Sequence, residues 1–198
     1  MVVLDVGANI GQWGNLIRQS GFKGRIISFE PVPAAFKHLE LVTNQDLEWM
    51  ALNVGIGEQY RQRASFNVAS NGGQSSSFFT MGQAHQQIDP TVTLDETIEI
   101  DVIPLDSPAV RKLVRTMDIY LKADVQGSER KVLEGLGDLW PQVQWIELEM
   151  WLKEAYLEAP TFWSISEMLR DNNFSLFAID PGGVSKSSGQ QISVDCIW

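Results

Sequence analysis

The chain predicts an open α/β fold: a seven-stranded, mostly parallel sheet with helices on both faces and an antiparallel last strand. Three observations carry this. Short apolar runs of strand length alternate with segments of helical spacing along most of the chain. The first run, residues 2–6, feeds a glycine-bearing turn and then a helix, which is how such sheets present a ligand at the carboxyl ends of their strands. The last two runs are joined by Asp180-Pro181-Gly182-Gly183 and a Ser/Gly-rich turn, which implies antiparallel pairing.

Taken in order, Val2-Val3-Leu4-Asp5-Val6 reads as a buried strand with one acid. Ile10, Trp13, Leu16 and Ile17 then form one face of a helix that ends near Gly21. Residues 25–30 are a second strand ending in Glu30-Pro31. The next helix covers about 34–42, with Phe36, Leu39 and Val42 inward. Residues 47–54 form a third strand, closed by Gly55 and Gly57. Alternation through Ala64, Phe66 and Val68, and again through Ile98, Ile100 and Val102, predicts two extra strands that pair with each other. Between them, residues 71–90 show no period and read as a lid or substrate loop, the alternative being a surface insertion. A short helix at 107–116 precedes the fourth core strand, 118–123, which delivers Asp124. A helix follows at 127–136, then a strand at 143–148 that delivers Glu149. Phe162, Ile165, Met168 and Leu169 make the last helix face, and 174–179 and 192–198 are the final strands. The whole, residues 1–198, reads as one domain with a loop and extra-strand insertion at about 59–105.

Bulk properties exclude several classes. The net charge is −10 and no basic run is present, so neither nucleic acid nor an anionic membrane surface is an expected partner. The single cysteine, Cys196, excludes an internal disulfide and a Cys-rich metal site. No stretch has the ~18 apolar residues of a membrane span. The start lacks a basic lead-in, so a cytoplasmic location is expected. Because the first strand begins almost at residue 1, the chain is either minimal or a fragment.

Gly7, Gly11 and Gly14 are spaced G-x-x-x-G-x-x-G, not the G-x-G-x-x-G of dinucleotide sites. Gly7 and Gly11 lack a Cβ, so backbone there is expected to lie directly against a ligand. Glu30, at the tip of the second strand, suits the two hydroxyls of a ribose. The combination of Asp5, Gly7, Asn9 and Gly11 with Phe29-Glu30-Pro31 resembles the S-adenosylmethionine (SAM) site of class I methyltransferases, whose fold is Rossmann-like. A second stretch, Leu121-Lys122-Ala123-Asp124-Val125-Gln126-Gly127-Ser128-Glu129, resembles the signature of the FkbM-type methyltransferases. The stretches 5–12 (DVGANIGQ), 28–31 (SFEP), 71–77 (NGGQSSS), 104–107 (PLDS) and 146–151 (IELEMW) agree with it in order along the chain. Ala123 departs from the β-branched residue more usual there.

The resemblance implies SAM-dependent O-methylation of a hydroxyl on a sugar or secondary metabolite. Asp5 would meet the methionyl amino group, Asn9 would act as a side-chain donor or helix cap, Glu30 would hold the ribose, and Asn53 would lie at the adenine edge. An alcohol nucleophile must lose a proton, so a positioned base is needed. Asp124 is the leading candidate, its alternative role being to cap the following helix. His85 is a second candidate base or a solvated loop histidine. Glu149 faces the cleft or, with Asp124, forms a carboxylate pair for a cation; no metal is assigned. Glu129 suits the helix dipole. Ser75, Ser76 and Ser77 bind a polar substrate or loosen the loop, and Trp151 and Trp163 stack on a ligand or pack on the sheet. The rival readings are a non-catalytic binding module on the same fold and an NAD-dependent oxidoreductase.

Overall fold

The computed structural model describes residues 1–198. The chain forms two compact units, one of residues 1–64, 99–124 and 131–145, the other of residues 65–98, 125–130 and 146–198. The strands are β1 (Val2–Val6), β2 (Arg25–Phe29), β3 (Trp49–Leu52), β4 (Gly55–Ile56), β5 (Arg61–Ala69), β6 (Leu94–Ile103), β7 (Ile119–Ala123), β8 (Val143–Trp151), β9 (Ala178–Pro181) and β10 (Ser193–Ile197). The helices are α1 (Gln12–Gln19), α2 (Pro33–Thr43), α3 (Gln83–Ile88), α4 (Pro108–Val114), α5 (Glu129–Glu134) and α6 (Phe162–Asp171). The main sheet has seven strands in the order β3-β2-β1-β7-β8-β10-β9, and a smaller sheet has the order β4-β6-β5. The expected extra strands therefore do pair. No helix is long and apolar enough to cross a membrane.

In the first unit, β1 pairs in parallel with β2 and β7, and β2 pairs in parallel with β3. All five residues of β1 are buried, as a strand covered on both faces requires. The register aligns Val6 with Phe29 and with Ala123, and Phe29 with Leu52. Residues 7, 30, 53 and 124 therefore leave four neighbouring strands at one edge. Beneath them, Val3, Ala8, Ile26, Leu39 and Trp49 form a core against which Trp13, Ile17, Phe36 and Val42 pack.

The inward face of α1 differs from expectation. Leu16 is 58% exposed and Ile10 42%, whereas Gly14 is the buried residue of the helix. A Cβ on Gly14 would lie 2.2 Å from Trp49 Cζ2, and one on Gly11 would lie 3.0 Å from Leu39 Cδ1. These two glycines let the helix settle onto the Trp49 indole, which turns Leu16 outward. The side of Gly11 that a Cβ would occupy faces this core. The third strand is also shorter than expected, because the chain breaks at Asn53 and resumes as β4.

In the second unit, β10 runs antiparallel to both β8 and β9, with Asp195 opposite Glu149 and Asp180. Ala84, Trp151, Ala155, Tyr156 and Ile192 form its core cluster. Segment 71–90, expected to lack a period, has local structure. It carries bridges Asn67↔Ser77 and Met81↔Tyr156 and contains α3. Ser75, Ser76 and Ser77 are all buried. Buried hydroxyls need partners, and they have them. The Ala69 amide donates to Ser76 Oγ at 3.1 Å, and Ser77 Oγ donates to the Gln126 carbonyl at 2.6 Å. The expected helix at 127–136 is the shorter α5, followed by a 3-10 turn over Gly137–Gln142. The penultimate strand begins at Ala178 rather than 174, leaving Phe177 71% exposed.

Candidate active site

The carboxyl edge of the first unit gathers the predicted cofactor residues. Gly7, Asn9 and Gly11 all have positive φ (76°, 48° and 90°), so the chain reverses tightly after β1. That reversal aims the Asn9 amide at Glu30 Oε2, to which it donates at 2.8 Å. The Val32 amide donates to Glu30 Oε1, also at 2.8 Å. Each carboxylate oxygen has two lone pairs, so each keeps one for a further donor. Burial pushes the Glu30 pKa up to about 7, against the lowering effect of the two amides and of Lys122. Asn53 Nδ2 donates to the carbonyls of Glu30 (2.8 Å) and Pro31 (3.1 Å), tying the third strand end to the second. The Asn9 side chain does not cap α1, which has no side-chain cap. Its Oδ1 accepts from Gln12 Nε2 at 3.0 Å.

Asp5, expected to meet a ligand amino group, is fully buried. Its strand neighbours in register are Ser28 and Lys122, and they explain its role. Ser28 Oγ donates to Asp5 Oδ2 at 2.9 Å and accepts from Trp49 Nε1 at 2.9 Å. Lys122 Nζ lies 3.5 Å from Asp5 Oδ1, 3.4 Å from the Gly7 carbonyl and 4.0 Å from Asp124 Oδ2. Burial raises the Asp5 pKa, with Lys122 and Ser28 opposing. The carboxylate thus acts inward, anchoring an ammonium that joins the glycine turn to the tip of β7. Lys122 was missed by sequence reasoning, although a lysine inside the apolar run 119–123 is its signal.

Asp124 has a 42% exposed side chain at the end of β7. The turn between β7 and α5 is braced by Glu129, the first residue of α5. Glu129 Oε1 accepts from the amides of Val125 (3.1 Å) and Gly127 (3.2 Å), and the residue is fully buried.

The second unit holds the other two candidates on one chain of hydrogen bonds. His85 sits on α3 and is 4% exposed, not solvated in a loop. Its Nε2 lies 3.0 Å from Ser75 Oγ, while its Nδ1 is buried without a partner. Burial lowers the His85 pKa, so the ring is neutral at neutral pH. Tyr156 OH donates to Gln126 Oε1 at 2.6 Å and contacts the Ser75 carbonyl at 3.2 Å. Gln126 Nε2 donates to Glu149 Oε2 at 2.6 Å, and Ser193 Oγ donates to Glu149 Oε1 at 3.2 Å. Gln126 holds this position with a left-handed backbone (φ 54°). Gly127 follows because a Cβ there would lie 2.9 Å from that of Ala159. Trp151 packs its ring 5.5 Å from Tyr156, while Trp163 is 74% exposed. Tyr156 and Gln126 carried no sequence signal for this role, since their partners lie 23 to 81 residues away.

No curated protein matches the chain. Its fold is similar to that of a methyltransferase FkbM from Methylobacillus flagellatus (16% identity, TM-score 0.57, 98% of this chain and 42% of that one). It is also similar to fibrillarin from Aeropyrum pernix, solved with natively bound S-adenosyl-L-methionine (12% identity, TM-score 0.52, 98% of this chain and 64% of that one). The chain therefore spans less than two thirds of either protein. The family model described as methyltransferase FkbM domain matches residues 5–176. That match takes in both the strand edge bearing Glu30 and Asp124 and the chain of hydrogen bonds from His85 to Glu149, and with it the chain belongs to the FkbM methyltransferase family.

Proposed function

We propose that the chain is a SAM-dependent methyltransferase that methylates a hydroxyl oxygen of a sugar or secondary metabolite, working as one domain over residues 1–198 in the cytoplasm. The observation that carries the reading is the alignment of Gly7, Glu30, Asn53 and Asp124 at one strand edge. Bound SAM supplies an electrophilic methyl group on a sulfonium that leaves as a thioether. Glu30 accepts from the ribose hydroxyls through the lone pair left on each oxygen. Asn53 lies beside the adenine edge. Gly7 and Asn9 form the turn against the methionyl part, held from below by Lys122 and Asp5. Asp124 takes the acceptor's proton, and its half-exposed side chain suits that task. His85 and Glu149 act as positioning residues through Ser75 and Gln126. The acidic net charge supports an uncharged small acceptor over nucleic acid.

Calorimetric titration with SAM and with S-adenosylhomocysteine tests the reading. Binding of either, weakened by Glu30→Ala, is expected; no binding of either overturns it. Methyl transfer from radiolabelled SAM to a panel of sugars and hydroxylated metabolites should fall in Asp124→Asn while SAM affinity holds. Normal transfer would remove Asp124 as the base.

A further inference from the structure

The second unit contains a cavity of about 290 Å³, the size of a small-molecule site. Four of its nine lining residues, Phe79, Met81, Val92 and Leu94, are apolar, the other five, Ser75 and Thr80 among them, are uncharged polar residues, and none is ionisable. A carboxylate, phosphate or ammonium seated there would lose its hydration with no countercharge. The cavity selects an uncharged guest with an apolar body.

Among the polar residues of the lining, Ser75 has a bonding capacity that depends on its partner His85. Its Oγ lies 3.0 Å from His85 Nε2 and accepts from Asn71 Nδ2 at 3.0 Å. A hydroxyl has one donor and two acceptor sites. If Ser75 donates to His85, one lone pair is left and calls for a donor. If the His85 Nε2–H donates to Ser75, the Ser75 proton is left and calls for an acceptor. The unpartnered, buried Nδ1 of His85 leaves both tautomers accessible. Only a guest group that both donates and accepts satisfies Ser75 in either state, and an alcohol is such a group.

We propose that this cavity binds a neutral aryl or alkyl alcohol, its hydroxyl on Ser75, and that His85 positions Ser75 for it. The cavity and the groups that meet its guest, Ser75 and His85, all belong to the second unit.

The test uses three probes on one skeleton: benzyl alcohol, benzoate and benzylamine. Binding is followed by NMR through the ε-methyl of Met81 in protein labelled with ¹³C-methyl methionine. Benzyl alcohol should shift the Met81 signal saturably, and the two charged probes should bind at least about tenfold more weakly. Ser75→Ala should weaken the alcohol about fivefold, the loss of one hydrogen bond. Leu94→Trp, at an exposed rim position, should block it while the fold is retained. No saturable shift with benzyl alcohol overturns the proposal, as does equal binding of benzoate. SAM titration of the same samples separates the two readings. Alcohol binding without SAM binding sustains the cavity and overturns the methyltransferase. SAM binding without alcohol binding does the reverse.

Discussion

Replacing Glu30 with Gln removes a carboxyl group that ionises at about pH 7, and should change how stability depends on pH. Burial raises the pKa from 4.5 to about 7 despite the amides of Val32 and Asn9 and the charge of Lys122, with Asp5 adding to the rise. Between those values the folded chain holds a proton that the unfolded chain has released. Stability from this group is therefore full below about pH 4.5 and is lost as pH rises through about 7. The gap of 7 − 4.5, at about 1.4 kcal/mol per unit, amounts to about 3.5 kcal/mol. Gln carries no such term. Its NH₂ group would, however, face one of the two backbone amides, costing about 1 kcal/mol at every pH. The variant should then be slightly less stable than the wild type near pH 5 and more stable near pH 8. Urea denaturation of both proteins across that range measures it. The stability difference, wild type minus variant, should fall by about 2–3 kcal/mol; parallel profiles would refute the argument. In the proposed binding mode ribose hydroxyls donate to the ionised form, so SAM affinity of the wild type should also drop below pH 7, by at most about tenfold per pH unit.

Three further perturbations probe the scaffold. Gly14→Ala gains about 1 kcal/mol in helix propensity, but its Cβ would meet the Trp49 ring at 2.2 Å, a ring pinned to Ser28. A net loss of about 1–3 kcal/mol is expected, rescued by Trp49→Leu; a stabilised single variant would contradict the packing argument. Lys122→Met leaves Asp5 buried without its cation and should cost about 3–5 kcal/mol. Adding Asp5→Asn should restore most of that in chemical denaturation, and no recovery would mean that Lys122 serves something other than Asp5. Tyr156→Phe removes the donor to Gln126 Oε1 and should cost about 1–3 kcal/mol. Its melting transition, compared with that of Tyr60→Phe at an exposed position, will show whether the loss belongs to this buried bond.

The order of strands and helices was legible in the chain because it is written in local periodicity. Apolar runs of strand length and the acids that end them, Glu30 and Asp124, need only neighbouring residues to be recognised. Parallel pairing then brings those strand ends to one edge, since each crossover returns the chain in the same direction. What local pattern does not contain is which side chains meet across the sheet or across long separations. The inward turn of Asp5 depends on the strand register with Ser28 and Lys122. The glycines of α1 serve Trp49, some 35 to 38 residues further on. His85 looked like a solvated loop residue because segment 71–90 is polar. Its burial follows from bridges to Asn67 and Tyr156 that no periodicity records. Glu129 braces the turn after β7 because the left-handed Gln126-Gly127 pair brings two amides round to it. The sequence by itself determined the fold class and the edge at which the acids ending the strands gather. Only the tertiary structure decided which polar groups face that edge and which are spent holding it in place, because burial and hydrogen-bond partnership are properties of distant segments brought together.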